Sequence, residues 1–142
     1  MVTLLAGCAT HRVGYVAVEE RRVELREVEG RERPLVLLGD AVDLRAMDQH
    51  LVEVDGLRTP AGLRVDRFRP LEGPHALPVW YGPVQQWGVQ VGVQDLPSGA
   101  LVWVDDRAAA ELLPHLGDRV VVEGYVEGPQ RIRVMYWIPV DR

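Results

Sequence analysis

The sequence has no lysine and no asparagine, and only one cysteine, one serine-type hydroxyl at Ser98, and one phenylalanine among 142 residues. Each absence excludes something. A lone cysteine, Cys8, rules out an internal disulfide. Ser98 lies in Leu96-Pro97-Ser98-Gly99-Ala100, without the glycine spacing of a nucleophile elbow, so no nucleophile–base pair can be assembled. His11, His50, His75 and His115 form no His-x-Glu or His-x-x-x-His pattern, and no metal site is expected. Histidines at the ends of the short helices, His50 and His115, are expected to satisfy helix carbonyls instead. There is no glycine-rich phosphate loop. No apolar run reaches the roughly 18 residues of a spanning helix. The acidic pairs Glu19-Glu20 and Asp105-Asp106 would point to opposite faces in a strand, which prevents an acid–base pair. No catalytic residue, metal or cofactor follows from the sequence.

What is present is arginine, valine and leucine. All 16 basic residues are arginine, a bias that fits a GC-rich bacterial genome rather than selection for phosphate. The net charge of −5 argues against a dedicated nucleic-acid binder, which would carry a basic footprint. The apolar fraction of 47% is that of a globular protein.

The chain repeats itself. His50-Leu51-Val52-Glu53-Val54-Asp55-Gly56 aligns with Asp118-Arg119-Val120-Val121-Val122-Glu123-Gly124. After a one-residue slip, Arg64-Val65-Asp66-Arg67-Phe68-Arg69-Pro70-Leu71 aligns with Arg133-Val134-Met135-Tyr136-Trp137-Ile138-Pro139-Val140. Upstream, Leu35-Val36-Leu37-Leu38-Gly39-Asp40 faces Leu101-Val102-Trp103-Val104-Asp105-Asp106, which puts Trp103 and Trp137 in the core in place of Leu37 and Phe68. Such self-similarity decides architecture before other arguments.

Alternating apolar residues place strands at 12–18, 23–28 (with a bulge), 35–38, 51–54 and 63–68, with a short helix at 41–48 capped by Asp40. The second half gives strands near 84–87, at 89–94, 101–104, 119–126 and 131–138, with a helix at 107–113 capped by Asp106. The fold class expected is all-β with minor α. Three strands, a short helix and two strands resemble the OB-fold, a five-stranded Greek-key barrel with a helix between strands three and four. The resemblance implies two tandem OB-fold-like five-stranded barrels, unit one at 12–73 and unit two at 84–142. An alternative is one intertwined, pseudo-symmetric barrel or sandwich of about ten strands. Residues 74–83, with three prolines and no charge, read as a stiff, extended, aromatic connector.

Leu5-Ala6-Gly7-Cys8 resembles the lipobox of bacterial lipoproteins, in which the chain is cut before the cysteine and the cysteine is lipidated. Residues 1–11 then read as a lipobox remnant and tether, with Cys8 the lipidation site. Only Met1 to Leu4 precede the box, so a basic n-region and an apolar run of about 7 to 15 residues would lie upstream. Ala9 after the cysteine implies the periplasmic face of an outer membrane. If the match is accidental, Cys8 is a buried thiol in a cytoplasmic protein.

The candidate binding residues are the aromatics Trp80, Tyr81 and Trp87 and the arginines Arg58, Arg64, Arg67 and Arg69. The aromatics could anchor a partner, stack on a sugar or base, or fill a seam between two small cores. The arginines, opposed only by Asp66 in sequence, could attract an anionic partner, or form a solvated face whose charges neutralise locally. The function expected is a non-enzymatic cell-envelope lipoprotein, bound to the membrane by its lipid anchor and acting as a binding or adaptor module for a protein partner. The alternatives are a periplasmic oligosaccharide-binding protein, and a cytoplasmic OB-fold binder of single-stranded nucleic acid. Glu24, Glu27 and Glu29 on strand two disfavour the last.

Overall fold

The computed structural model describes residues 9–28, 33–39 and 43–140. The chain divides into two compact units, Met1–Leu71 and Glu72–Arg142. It is predominantly β, and each unit closes five strands drawn from one contiguous stretch into a barrel.

Unit one contains β1 (Ala9–Glu19), β2 (Arg22–Glu27), β3 (Leu35–Leu38), a 3-10 helix (Asp43–Met47), β4 (Leu51–Thr59) and β5 (Gly62–Glu72). The strand order is β1-β2-β3-β5-β4, with β3 and β5 parallel and β1 closing on β4 antiparallel. Period-two alternation turns Val16, Val23, Leu25, Val52, Val54, Leu63 and Val65 inward, where all are buried. Leu44 and Met47 from the 3-10 helix are fully buried with them. The expected capping residue Asp40 lies outside the described residues. The expected bulge in β2 is not there: its pairing with β1 runs in register from Gly14↔Glu27 to Glu19↔Arg22. The apparent slip arises at Glu27, which takes the next position on the Val23 and Leu25 side and pairs with Arg12 at 3.2 Å, while Val28 is exposed.

Unit two contains β6 (Val79–Trp87), β7 (Gln90–Gln94), β8 (Leu101–Val104), α1 (Asp106–Leu112), a 3-10 turn (Leu113–His115), β9 (Arg119–Gly128) and β10 (Arg131–Pro139). The order β10-β8-β7-β6-β9 is that of unit one, read from the closing strand. Its core holds Val84, Val91, Val93, Val102, Val104, Leu112, Val120, Val122, Ile132 and Val134. α1 is capped by Asp105, not by Asp106: the Asp105 carboxylate accepts the Ala108 N–H at 3.4 Å. Asp105 is held there because its other oxygen accepts the Val134 N–H at 2.8 Å, beside the β10 register shift that leaves Met135 out of the ladder.

The units carry the same hydrogen bonds 68 positions apart. Val16 N–H donates to the His50 carbonyl at 3.0 Å, and Val84 N–H to the Asp118 carbonyl at 2.9 Å. Gln49 N–H donates to Val16 at 2.8 Å, and Gly117 N–H to Val84 at 2.9 Å. Gln49 and Gly117 both have left-handed φ, 65° and 84°. His50 therefore corresponds to Asp118, and Met47, rather than His50, corresponds to His115.

Two expectations fail by position. Residues 74–83 are not an extended connector. Residues 79–83 are the first half of β6, paired with β9 from Val79↔Glu123 to Pro83↔Arg119, and Glu72 bridges back to Pro78. Proline fixes only its own φ, and the reversal is made by Gly73 and by Ala76, whose φ is 61°. At the other end, β1 begins at Ala9, so residues 9–11 belong to the barrel rather than to a tether.

Candidate functional site

A cleft of about 630 Å³ opens in unit one. Leu25 on β2 and Val36 on β3 give it an apolar lining, and the Pro60-Ala61 turn between β4 and β5 forms part of its wall. Its charged groups come from four places in the chain: Arg12 on β1, Glu27 on β2, Arg33 just before β3, and Arg58 near the end of β4. Arg12 Nε lies 3.2 Å from Glu27 Oε1. Among the described residues, that pairing offsets one positive charge and leaves Arg33 and Arg58 in excess at the cleft. A concave, low-dielectric site of one sign focuses its field on an incoming counter-charge. The volume is in the range of small-molecule sites.

Of the four arginines singled out in sequence, the structure brings only Arg58 to this cleft. Arg64 is exposed on β5, paired in register with Leu38. Arg67 and Arg69 face β4, Arg67 at 3.9 Å from Asp55 and Arg69 at 3.5 Å from Glu53. His11 on β1 completes this ladder, 2.8 Å from Asp55 and 3.8 Å from Glu53. The arginines are opposed across the sheet by Glu53 and Asp55, which sequence proximity to Asp66 did not suggest. Exposed pairs of this kind contribute little to stability.

The three aromatics are not brought together as a platform. Trp80 and Tyr81 are neighbours on β6 and point to opposite faces. Trp80 packs on the core of unit two, and Tyr81 is 5% exposed. Trp87 ends β6 and is 66% exposed. Trp103, expected in the core, is half-buried on the outer face instead. The ladders show why: Leu37 pairs with Leu63, while Val104 pairs with Ile132, so Val104 is the counterpart of Leu37. The sequence alignment was one residue off there, and one residue reverses the face of a strand. Trp137 is half-buried against the core, and its indole N–H donates to Glu111 at 2.9 Å. Cys8 lies outside the described residues.

A fully buried carboxylate escaped the sequence reading. Glu123 on β9 is 0% exposed and accepts three hydrogen bonds: from His75 N–H at 2.9 Å, Leu77 N–H at 3.1 Å and His75 Nδ1–H at 2.9 Å. Gly73 is required here, since a Cβ would collide with the carboxylate. The 73–77 reversal is thus folded around Glu123. The only available signal was its position in the repeat, opposite Asp55.

Ser98 Oγ lies 2.6 Å from Asp95 Oδ2, and Asp95 also accepts the Tyr81 N–H at 3.0 Å, which ties the β7–β8 turn to β6. Among the described residues no group of three or more His, Cys, Asp or Glu side chains could hold a metal ion. Among them no helix is long and apolar enough to cross a membrane. No protein-family model and no curated protein matches this chain.

Proposed function

We propose that the chain is a non-enzymatic binding module of the bacterial cell envelope, built from two barrels of OB type, and that unit one takes an anionic group in its arginine-lined cleft. The observation that carries the binding reading is the convergence of Arg12, Arg33 and Arg58 on one concavity where, among the described residues, Glu27 is the one carboxylate. The OB reading is supported by strand order and by the helical segment between the third and fourth strands of each unit. The face of strands two and three, with the loops joining strands one to two and four to five, is where such barrels take ligands. The envelope reading rests on Leu5-Ala6-Gly7-Cys8.

Two experiments test the two parts. Calorimetric titration of the chain with pyrophosphate is expected to show saturable binding that Arg33→Gln and Arg58→Gln each weaken. Equal binding by wild type and both variants would remove the cleft from the account. Metabolic labelling with a palmitate analogue, with the gene expressed from its natural start, is expected to mark the wild type and not Cys8→Ser. An unlabelled wild type would remove the envelope assignment while leaving the cleft untouched.

A further inference from the structure

The duplication allows one barrel to serve as the reference for the other. The outer face of β1, β2 and β3 in unit one corresponds to that of β6, β7 and β8 in unit two. The registers fix the equivalences: Ala17↔Glu24↔Val36 is one row across unit one, and Gln85↔Gly92↔Trp103 is the same row across unit two. The next row is Glu19↔Arg22 in unit one and Trp87↔Gln90 in unit two. One step the other way, Arg26 becomes Gln94.

Every charged position of that face in unit one is therefore glutamine, glycine or tryptophan in unit two. Unit one's face is held by ion pairs, Arg26 to Glu19 at 2.9 Å and Arg22 to Glu24 at 3.3 Å. Unit two's face has none of these charges, and residues 73–94 contain no Asp, Glu or Arg at all. The exchange did not turn the face into core. Trp87 is 66% exposed and Gln90 is exposed, while Val89, in the turn between them, is 96% exposed. Gly92 has a specific role: a Cβ there would lie 2.9 Å from Trp103 Cε3, so its absence lets the indole lie over the strand. Gln94 is engaged with the Gly99 carbonyl, which leaves Gln85 and Gln90 as the amides between the two indoles.

We propose that this outer face of β6, β7 and β8 binds an uncharged saccharide, with Trp87 and Trp103 as stacking surfaces and Gln85 and Gln90 as hydrogen-bonding groups. The chemistry selects the occupant. An indole presents a flat, polarisable face to the C–H face of a sugar ring, and an amide both donates and accepts, as hydroxyls require. A charged ligand would lose its hydration there without a counter-charge. Single-stranded nucleic acid also stacks on aromatics, but its phosphates call for a cationic track. Alongside, β10 carries Arg131, the register partner of Trp103, and Arg133 two residues further on the same side. The proposal rests on the binding-module reading but not on the cleft of unit one.

The test is calorimetric and fluorescence titration of the full chain with maltohexaose, cellohexaose and chitohexaose. Saturable binding of at least one is expected, unchanged by added sodium chloride and weakened about tenfold by Trp87→Ala. Trp87 is exposed, so an unchanged melting temperature verifies that the variant is folded. Three outcomes overturn the proposal: no saturable binding of any of the three, binding that Trp87→Ala leaves intact, or preferential binding of oligothymidylate that falls with salt. Pyrophosphate titration of the same protein reports on unit one's cleft alone, so either reading can fail without the other.

Discussion

Gly56 and Gly124 occupy the same point in two copies of one barrel: a Cβ on Gly56 would strike the Arg64 carbonyl, and a Cβ on Gly124 the Arg133 carbonyl. Strand four and strand five of each unit approach so closely there that no side chain fits. Gly56→Ala and Gly124→Ala are both expected to destabilise by about 1–3 kcal/mol, the usual cost of overpacking. Hydrogen exchange locates the damage. Gly56→Ala should loosen β4 and β5, Gly124→Ala should loosen β9 and β10, and wild-type protection at both sites would refute the equivalence.

Glu123 offers a sharper energetic test. An ionised carboxylate accepts and never donates, which matches the three N–H groups aimed at it. Glu123→Gln can keep one oxygen for the His75 and Leu77 N–H groups but sets its amide N–H₂ against His75 Nδ1, and should cost about 1–3 kcal/mol in denaturant unfolding. The His75 side chain is 59% exposed. His75→Ala removes one of the three bonds and should cost about 1 kcal/mol or less. A Glu123→Gln protein as stable as the wild type would show that the 73–77 reversal does not depend on the buried charge.

The helix cap can be assigned by comparing two adjacent aspartates. Asp105→Ala loses both the Ala108 cap and the bond to Val134, and should destabilise by roughly 1–2 kcal/mol. Asp106→Ala removes only a favourable charge in the first turn, worth about 0.3–1 kcal/mol. Thermal melts of the two variants should rank in that order. The reverse order would restore Asp106 as the cap.

Strand identities, the two hairpin turns before Gly62 and Arg131, and the repeat from strand four onward were legible because apolar alternation and turn residues are local signals. The front half of the repeat was not. Gly14 corresponds to Gly82 and Val23 to Val91, but the outer face between them changed from charged to uncharged residues, which hides the likeness. Trp103 was misplaced by one residue because its register is fixed by the β7–β8 and β8–β10 ladders and not by any local signal. The cleft was visible in sequence only as Arg58. Arg12 on β1 and Arg33 before β3 join it from parts of the chain far apart in sequence, and nothing local marks them. Pro74, Pro78 and Pro83 suggested a rigid connector, whereas the buried Glu123 dictates a tight reversal.

The charge ladder of β1, β4 and β5 should be nearly silent. Arg67→Ala and Arg69→Ala each lose an exposed pair and should change stability by less than about 1 kcal/mol. Neither lines the cleft, so pyrophosphate affinity should be preserved in both. A large loss of affinity would move the anion site from the cleft to the ladder.

The most direct test of the central claim is backbone NMR of the full chain during titration with pyrophosphate. Saturable shifts are expected at Arg12, Leu25 to Glu27, Arg33 to Val36 and Arg58 to Gly62, with their loss in Arg58→Gln. Shifts scattered over exposed arginines of both units, growing without saturation, would contradict it.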